Sequence, residues 1–176
     1  ITGYAGAEIA RLVYSHPELK LVSATGRSKA GKDLSEVFPH LEKTNIKIRE
    51  ELSDNVEFVF SALPHAASAE KLSQYVDSSI PAIDISADFR LKDLSTYEDW
   101  YDIKHPRPEL IDQATYGLPE IHRDDIKKSK LVANPGCFPT GAILSMSPAV
   151  KNDLIEDMII IAVSYPHRPL PTKRRV

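Results

Sequence analysis

Apolar residues at positions 9, 12 and 13 recur with helical spacing directly behind a Gly3-Tyr4-Ala5-Gly6 turn, and Pro17 stops the run. The pattern predicts a glycine turn feeding a helix. Residues 19–24 alternate in strand fashion and give way to the loop Thr25-Gly26-Arg27-Ser28. The polar stretch 29–44 reads as loop, with a short strand at 46–49. Residues 55–62 form a nearly continuous apolar run, the signature of a strand covered on both faces of a parallel sheet. Strong helix formers follow at 66–76, with apolar positions 69, 72, 75 and 76, and then a further strand at 82–86. This alternation predicts an α/β fold, a doubly wound parallel sheet of the Rossmann-like kind.

From 88 to 130 the period is lost and prolines, polar and aromatic residues mix, as in a long functional excursion from the sheet. Regular patterning returns with a short strand at 131–133, a helix at 137–150 interrupted near Pro148, and a β-branched strand at 158–163. The expected organisation is a nucleotide-binding domain over 1–133, the start of an α+β catalytic domain over 134–163, and an aberrant tail over 164–176. In a doubly wound sheet the first strand precedes the glycine turn. It would lie before Ile1, so the sheet is expected to lack it. The tail carries three prolines and four basic residues after Ser164 and suits no element that should follow a strand; a reading-frame error or broken gene is the expected cause.

Composition narrows the function classes. The 176 residues are 42% hydrophobic, enough to bury a core, and 22 basic against 25 acidic residues give a net charge of -3 with no basic stripe. Nucleic acid and anionic membrane surfaces are therefore not expected partners. One cysteine excludes an internal disulfide and a multi-thiolate metal site, and six scattered histidines form no metal motif. No metal is expected. With no apolar run of about 18 residues and no leader-like N-terminus, the expectation is a soluble cytoplasmic protein.

Two features carry chemistry. The only cysteine, Cys137, follows Asn134-Pro135-Gly136 at the start of a predicted helix, where backbone dipoles and open N–H groups favour a thiolate. It is the candidate nucleophile. Gly3 and Gly6, spaced as the last two glycines of the dinucleotide fingerprint, let a pyrophosphate approach the turn formed by Thr2, Gly3, Tyr4, Ala5 and Gly6. Where an NAD enzyme would hold its ribose with an acid, this chain has Arg27 and Ser28, which suit the 2′-phosphate of NADP. Ser61, Leu63 and Pro64 end the next strand, on the carboxyl edge where such sheets bind ligands.

Taken in order, the Gly-Tyr-Ala-Gly turn, the arginine loop, Ala62-Leu63-Pro64-His65, the segment from Asp84 through Ser86, Asp88 and Arg90, Tyr116-Gly117-Leu118-Pro119-Glu120 and Asn134-Pro135-Gly136-Cys137 resemble the N-acetyl-γ-glutamyl-phosphate reductases of the semialdehyde dehydrogenase superfamily. The resemblance covers about residues 1–163. It implies reduction by NADPH of N-acetyl-glutamyl 5-phosphate to the 5-semialdehyde in arginine biosynthesis, through a thioester on Cys137 with release of phosphate. It further implies that Ser86, Asp88, Arg90, Asn134, Pro135 and Gly136 shape the substrate site. Arg90 would pair there with a substrate carboxylate or phosphate, or else form a structural ion pair with Asp88 or a nearby acid. A homo-oligomer, a tetramer in that family, is implied for a full chain. Members run to roughly twice this length and carry a later histidine as acid/base; that segment is missing here, so no catalytic base is assigned. The alternatives are a catalytically dead fragment with weak nucleotide or subunit binding, and the sister aspartate-semialdehyde dehydrogenase.

Overall fold

In the computed structural model the structure describes residues 1–155; the strand expected at 158–163 and the tail at 164–176 lie outside the described residues. Two compact units divide the chain, Ile1–Gly136 and a second that begins at Cys137. Helix α1 (Tyr4–Ser15) starts directly behind Gly3 and buries Gly6, Ala7 and Ala10. It stops where His16 turns extended ahead of Pro17, because the proline ring clashes with a helical predecessor. Strand β1 (Ala24–Thr25), a four-residue helix α2 (Leu34–Val37) and strand β2 (Ile48–Arg49) follow. Ala10, Leu34, Leu41 and Ile48 bury one small core among them.

Strand β3 (Val59–Ser61), helix α3 (Ala67–Asp77) and strand β4 (Ala82–Asp84) form the next strand–helix–strand unit. The expected excursion then departs from the prediction, since it holds regular elements: α4 (Leu94–Tyr101), β5 (Ala114–Tyr116) and α5 (Pro119–Ile126). Their local signals are nevertheless present in the sequence. Asp93 caps α4 by accepting from the Thr96 N–H at 2.8 Å, and Pro119 occupies the first turn of α5, where its missing N–H costs nothing. Strand β6 (Leu131–Ala133) then inserts between β4 and β5, giving the order β3-β4-β6-β5 with every pair parallel. In the second unit α6 (Cys137–Lys151) runs through Pro148 without the expected interruption.

Strands β1 and β2 pair in a separate parallel sheet. Between β1 and β3 lies a largely apolar groove of about 370 Å³, lined by residues 19–25, residues 55–63 and the inner faces of α1 and α3. The groove explains why the strands predicted at 19–24 and 55–62 are shorter than their apolar patterns. A strand is a hydrogen-bonded ladder, and those residues border the groove rather than a partner.

The larger sheet's core packs Ala69, Leu72 and Val76 of α3 on Val59, Ala82 and Leu131. A fully buried Leu72 or Leu131 contributes about 1.5–3 kcal/mol by transfer from water. Two carboxylates are equally buried. Asp88 accepts from the Ala66 and Ala69 N–H groups, each at 2.8 Å, and from the Tyr97 hydroxyl at 2.8 Å. Its side chain thereby caps the start of α3 from a distant segment and holds Ala66 at a φ of 63°, rare for a residue with a Cβ. Burial, with Asp88 as acceptor, pushes the Tyr97 phenol up and keeps it protonated. The His105 ring lies 2.8 Å by Nε2 from the Asp88 carbonyl.

Replacing Asp88 with Ala strands three donors at once, two of them buried, and is expected to lower unfolding free energy by about 3–5 kcal/mol, read by urea denaturation. Asp88→Asn, which keeps one accepting oxygen, recovers part of the loss. A cost under about 1 kcal/mol for the Ala variant contradicts the assignment.

Candidate functional site

Because β3, β4, β6 and β5 run parallel with Ser61, Asp84, Ala133 and Tyr116 in register, their carboxyl ends share one edge of the sheet. That edge gathers Ser61, Leu63, Pro64, Ser86, Asn134, Pro135 and Gly136, which lie far apart in sequence. Leu63 and Pro64 are exposed there, whereas the Ser61 hydroxyl is turned inward, 2.7 Å from that of Ser68. Asp84 is the centre of this buried polar set. It accepts from Ser68 Oγ at 2.5 Å, from the Ser86 N–H at 2.9 Å and from Ser86 Oγ at 2.6 Å.

The glycine turn meets the arginine loop. The Ile1 main-chain nitrogen donates to the Thr25 carbonyl at 2.7 Å, and a Cβ on Gly26 would lie 2.6 Å from Thr2 Cγ2. Thr2, Gly3, Tyr4 and Ala5 are exposed, and a Cβ on Gly3 would meet nothing within 4 Å. Gly6 is the opposite case: a Cβ there would lie 2.9 Å from the Ile1 backbone, so only glycine lets α1 pack this closely. No side chain caps α1 and no acid lies in its first turn. Its first N–H groups remain available to an anion. Arg27 and Ser28 are exposed in the adjoining turn, and Arg27 has no side-chain partner among the described residues.

Residues 1–129 match the family described as semialdehyde dehydrogenase, NAD binding domain. The chain belongs to the semialdehyde dehydrogenase family. At 52% identity over 161 residues it is similar to an N-acetyl-gamma-glutamyl-phosphate reductase of Dehalococcoides mccartyi, covering 92% of this chain and 47% of that protein. The corresponding reductase of Methanosphaera stadtmanae is 45% identical over 161 residues, covering 90% and 46%. The chain thus spans about half the length of the curated relatives it matches. Among solved structures, aspartate semialdehyde dehydrogenase with NADP from Candida albicans superimposes with a TM-score of 0.54 at 16% identity, covering 86% of this chain and 45% of that one. The fold is the Rossmann-like α/β fold of this family.

Within this member of the family, Ser86 and Asp88 are buried with their side chains committed to internal bonds, and Ser86 Oγ also accepts from the Asp88 N–H at 3.1 Å. Arg90 makes no ion pair with Asp88, because both Asp88 oxygens are occupied by α3 and Tyr97. It donates instead to two main-chain carbonyls, those of Asn134 at 2.8 Å and Ile85 at 2.7 Å. Cys137 is exposed and is the first residue of α6. The His65 ring lies tilted against that of Tyr101, and His122 packs edge-on to Tyr116. Among the described residues no cluster of His, Cys, Asp or Glu is placed to hold a metal, and no helix is long and apolar enough to cross a membrane. Sequence reasoning missed Tyr97, His105 and the hub role of Asp84. Nothing local marks the first two, since their bonds reach 9 and 17 residues back to Asp88.

Burial pushes the Asp84 carboxyl up, against the opposing hydrogen bonds of Ser68 and Ser86, and nearby Asp88 adds to the rise. With the folded value above the unfolded one, the native chain holds this proton more tightly. The group's contribution to stability is complete below the ordinary carboxylate range and is lost as pH rises through the raised value. A carbon-13 titration of the Asp84 carboxyl should give a midpoint above the ordinary 3.8; one at or below it contradicts the burial argument. Gly6→Ala should lower the melting temperature by several degrees, on the order of 1–3 kcal/mol, while Gly3→Ala leaves it within about a degree. Equal melting temperatures for the two variants refute the packing difference.

Proposed function

We propose that this chain is the nucleotide-binding and nucleophile-bearing part of an NADP-dependent reductase that converts N-acetyl-γ-glutamyl phosphate to its semialdehyde. The observation that carries the reading is the meeting of an uncapped helix N-terminus with an unpartnered arginine turn, at the carboxyl end of β1. The relatives at 42–52% identity, all reductases by name, supply the substrate.

The starts of α1, beside the end of β1, and of α3, behind β3, differ in what fills them. Asp88 fills the start of α3 with its own carboxylate, whereas α1 is left open. A pyrophosphate therefore goes to α1, bound by main-chain N–H groups of residues 3–6. The open space at Gly3 fits this, because a side chain there would stand where the phosphates approach. Arg27 and Ser28 would take the 2′-phosphate, and Leu63 and Pro64 offer apolar surface on the same edge. NADPH, when bound, supplies the hydride that a thioester accepts more readily than a carboxylate.

Cys137 supplies the other half of the chemistry. Its sulfur attacks the acyl carbon, a C–S bond forms, and the C–O bond to phosphate breaks with the electron pair leaving on phosphate. Asn134, Pro135 and Gly136 lead the chain into that residue, and Ser86, Asp88 and Arg90 serve the same edge from within the fold. Assembly as a homo-oligomer, residence in the cytoplasm and a role in arginine biosynthesis are part of the same proposal.

Calorimetric titration should show NADP bound more tightly than NAD, and Arg27→Ala should weaken NADP by about tenfold to a hundredfold while leaving NAD within about twofold. Mixing with the acyl phosphate should add one acyl mass to the chain by intact-mass spectrometry, and Cys137→Ser should abolish that adduct. No adduct on the unsubstituted chain sinks the thioester chemistry. Equal binding of NADP and NAD sinks the role of Arg27.

A further inference from the structure

We infer that Arg90 is the positioning residue of the turn that leads into Cys137, acting on main-chain carbonyls and not on substrate; the catalytic half of this inference rests on the thioester chemistry proposed above. Arg90 lies half-buried beyond the end of β4. Its Nε donates to the Asn134 carbonyl at 2.8 Å and its Nη2 to the Ile85 carbonyl at 2.7 Å. One guanidinium thus ties the chain leaving β6 to the chain leaving β4.

The bonded segment is held from three sides. The Asn134 N–H donates to the Asp84 carbonyl at 2.8 Å, continuing the β4–β6 ladder one step past its last strand residue. From the other neighbour, the Gly117 N–H donates to the Ala133 carbonyl at 2.8 Å. Asn134 closes on itself, its Nδ2 donating to the Pro135 carbonyl at 3.0 Å, and Pro135 is buried with φ fixed by its ring. Between residue 134 and the thiol-bearing residue only Pro135 and Gly136 intervene. Fixing the Asn134 peptide therefore orders the turn that Cys137 follows in the chain.

Arg90 is suited to this task because its donors form a rigid planar fork that satisfies two carbonyls in fixed directions. A lysine is a single point of charge on a flexible stem. An arginine kept for a substrate carboxylate or phosphate would present that fork to solvent; here Nε and Nη2 are both engaged by the fold itself.

The test uses Arg90→Lys, which retains charge and stem, beside Arg90→Met. Amide exchange of Asn134 should quicken about tenfold or more in both, while amides of α1 stay unchanged. With the acyl phosphate, the maximal rate of Cys137 acylation should fall about tenfold or more and its half-saturating concentration should stay within about twofold. Added guanidinium should restore part of the rate in Arg90→Met. Unaltered Asn134 exchange overturns the inference. So does a raised half-saturating concentration with an intact maximal rate, which would make Arg90 a substrate ligand. If the unsubstituted chain takes no acyl group, the thioester reading fails and the exchange result alone decides the positioning role.

Discussion

Two buried carboxylates set the geometry of the first unit. A charge or acid removed from water must be fully hydrogen-bonded, so Asp84 and Asp88 organise everything that reaches them. Asp84 draws in Ser68 from α3 and Ser86 from its own turn; Asp88 draws in the start of α3 and, through Tyr97, helix α4. The ends of the central strands are thereby tied to the helices that cover them. Their apolar neighbours Val59, Leu72 and Leu131 supply most of the burial energy, but apolar contact is not directional. The carboxylates supply the direction.

The same arrangement sets the start of α3 apart from that of α1. Partial positive charge accumulates at every helix start, and an edge with several such starts would attract phosphate indiscriminately. Asp88 neutralises one of them internally. The α1 start keeps its N–H groups, with Gly3 giving room above the turn and Gly6 letting the helix sit against Ile1. Arg27 follows at the adjoining strand end, where a parallel sheet leaves its loops free to differ.

Two basic side chains in the middle of the chain, Arg90 and Lys92, are spent on backbone. Arg90 holds carbonyls of residues 85 and 134, and Lys92 gathers those of Ile111, Asp112 and Ala114. From sequence, Arg90 is expected to meet a substrate anion or a nearby acid. The acceptors of both side chains are main-chain carbonyls outside the ladders and helix bonds, which is how a stretch with few long elements stays ordered.

What the sequence determined is what depends on near neighbours: the α1 turn and its stop at Pro17, helix α3 from its apolar spacing, the apolar strands β3, β4 and β6, and the Cys137 helix start. Asp93 and Pro119 are local signals of the same kind, but the lost periodicity hid α4 and α5, and the segment is expected from sequence to be an irregular excursion. What only the tertiary structure decided is pairing. It placed β6 between β4 and β5, cut short the strands that border the groove, brought residue 1 against residue 25, and gave Asp88 and Arg90, expected to shape the substrate site, partners within the fold. The reason is physical. A helix satisfies its hydrogen bonds within four residues, whereas a strand, a buried carboxylate or a guanidinium is completed by groups tens of residues away, which no local pattern specifies.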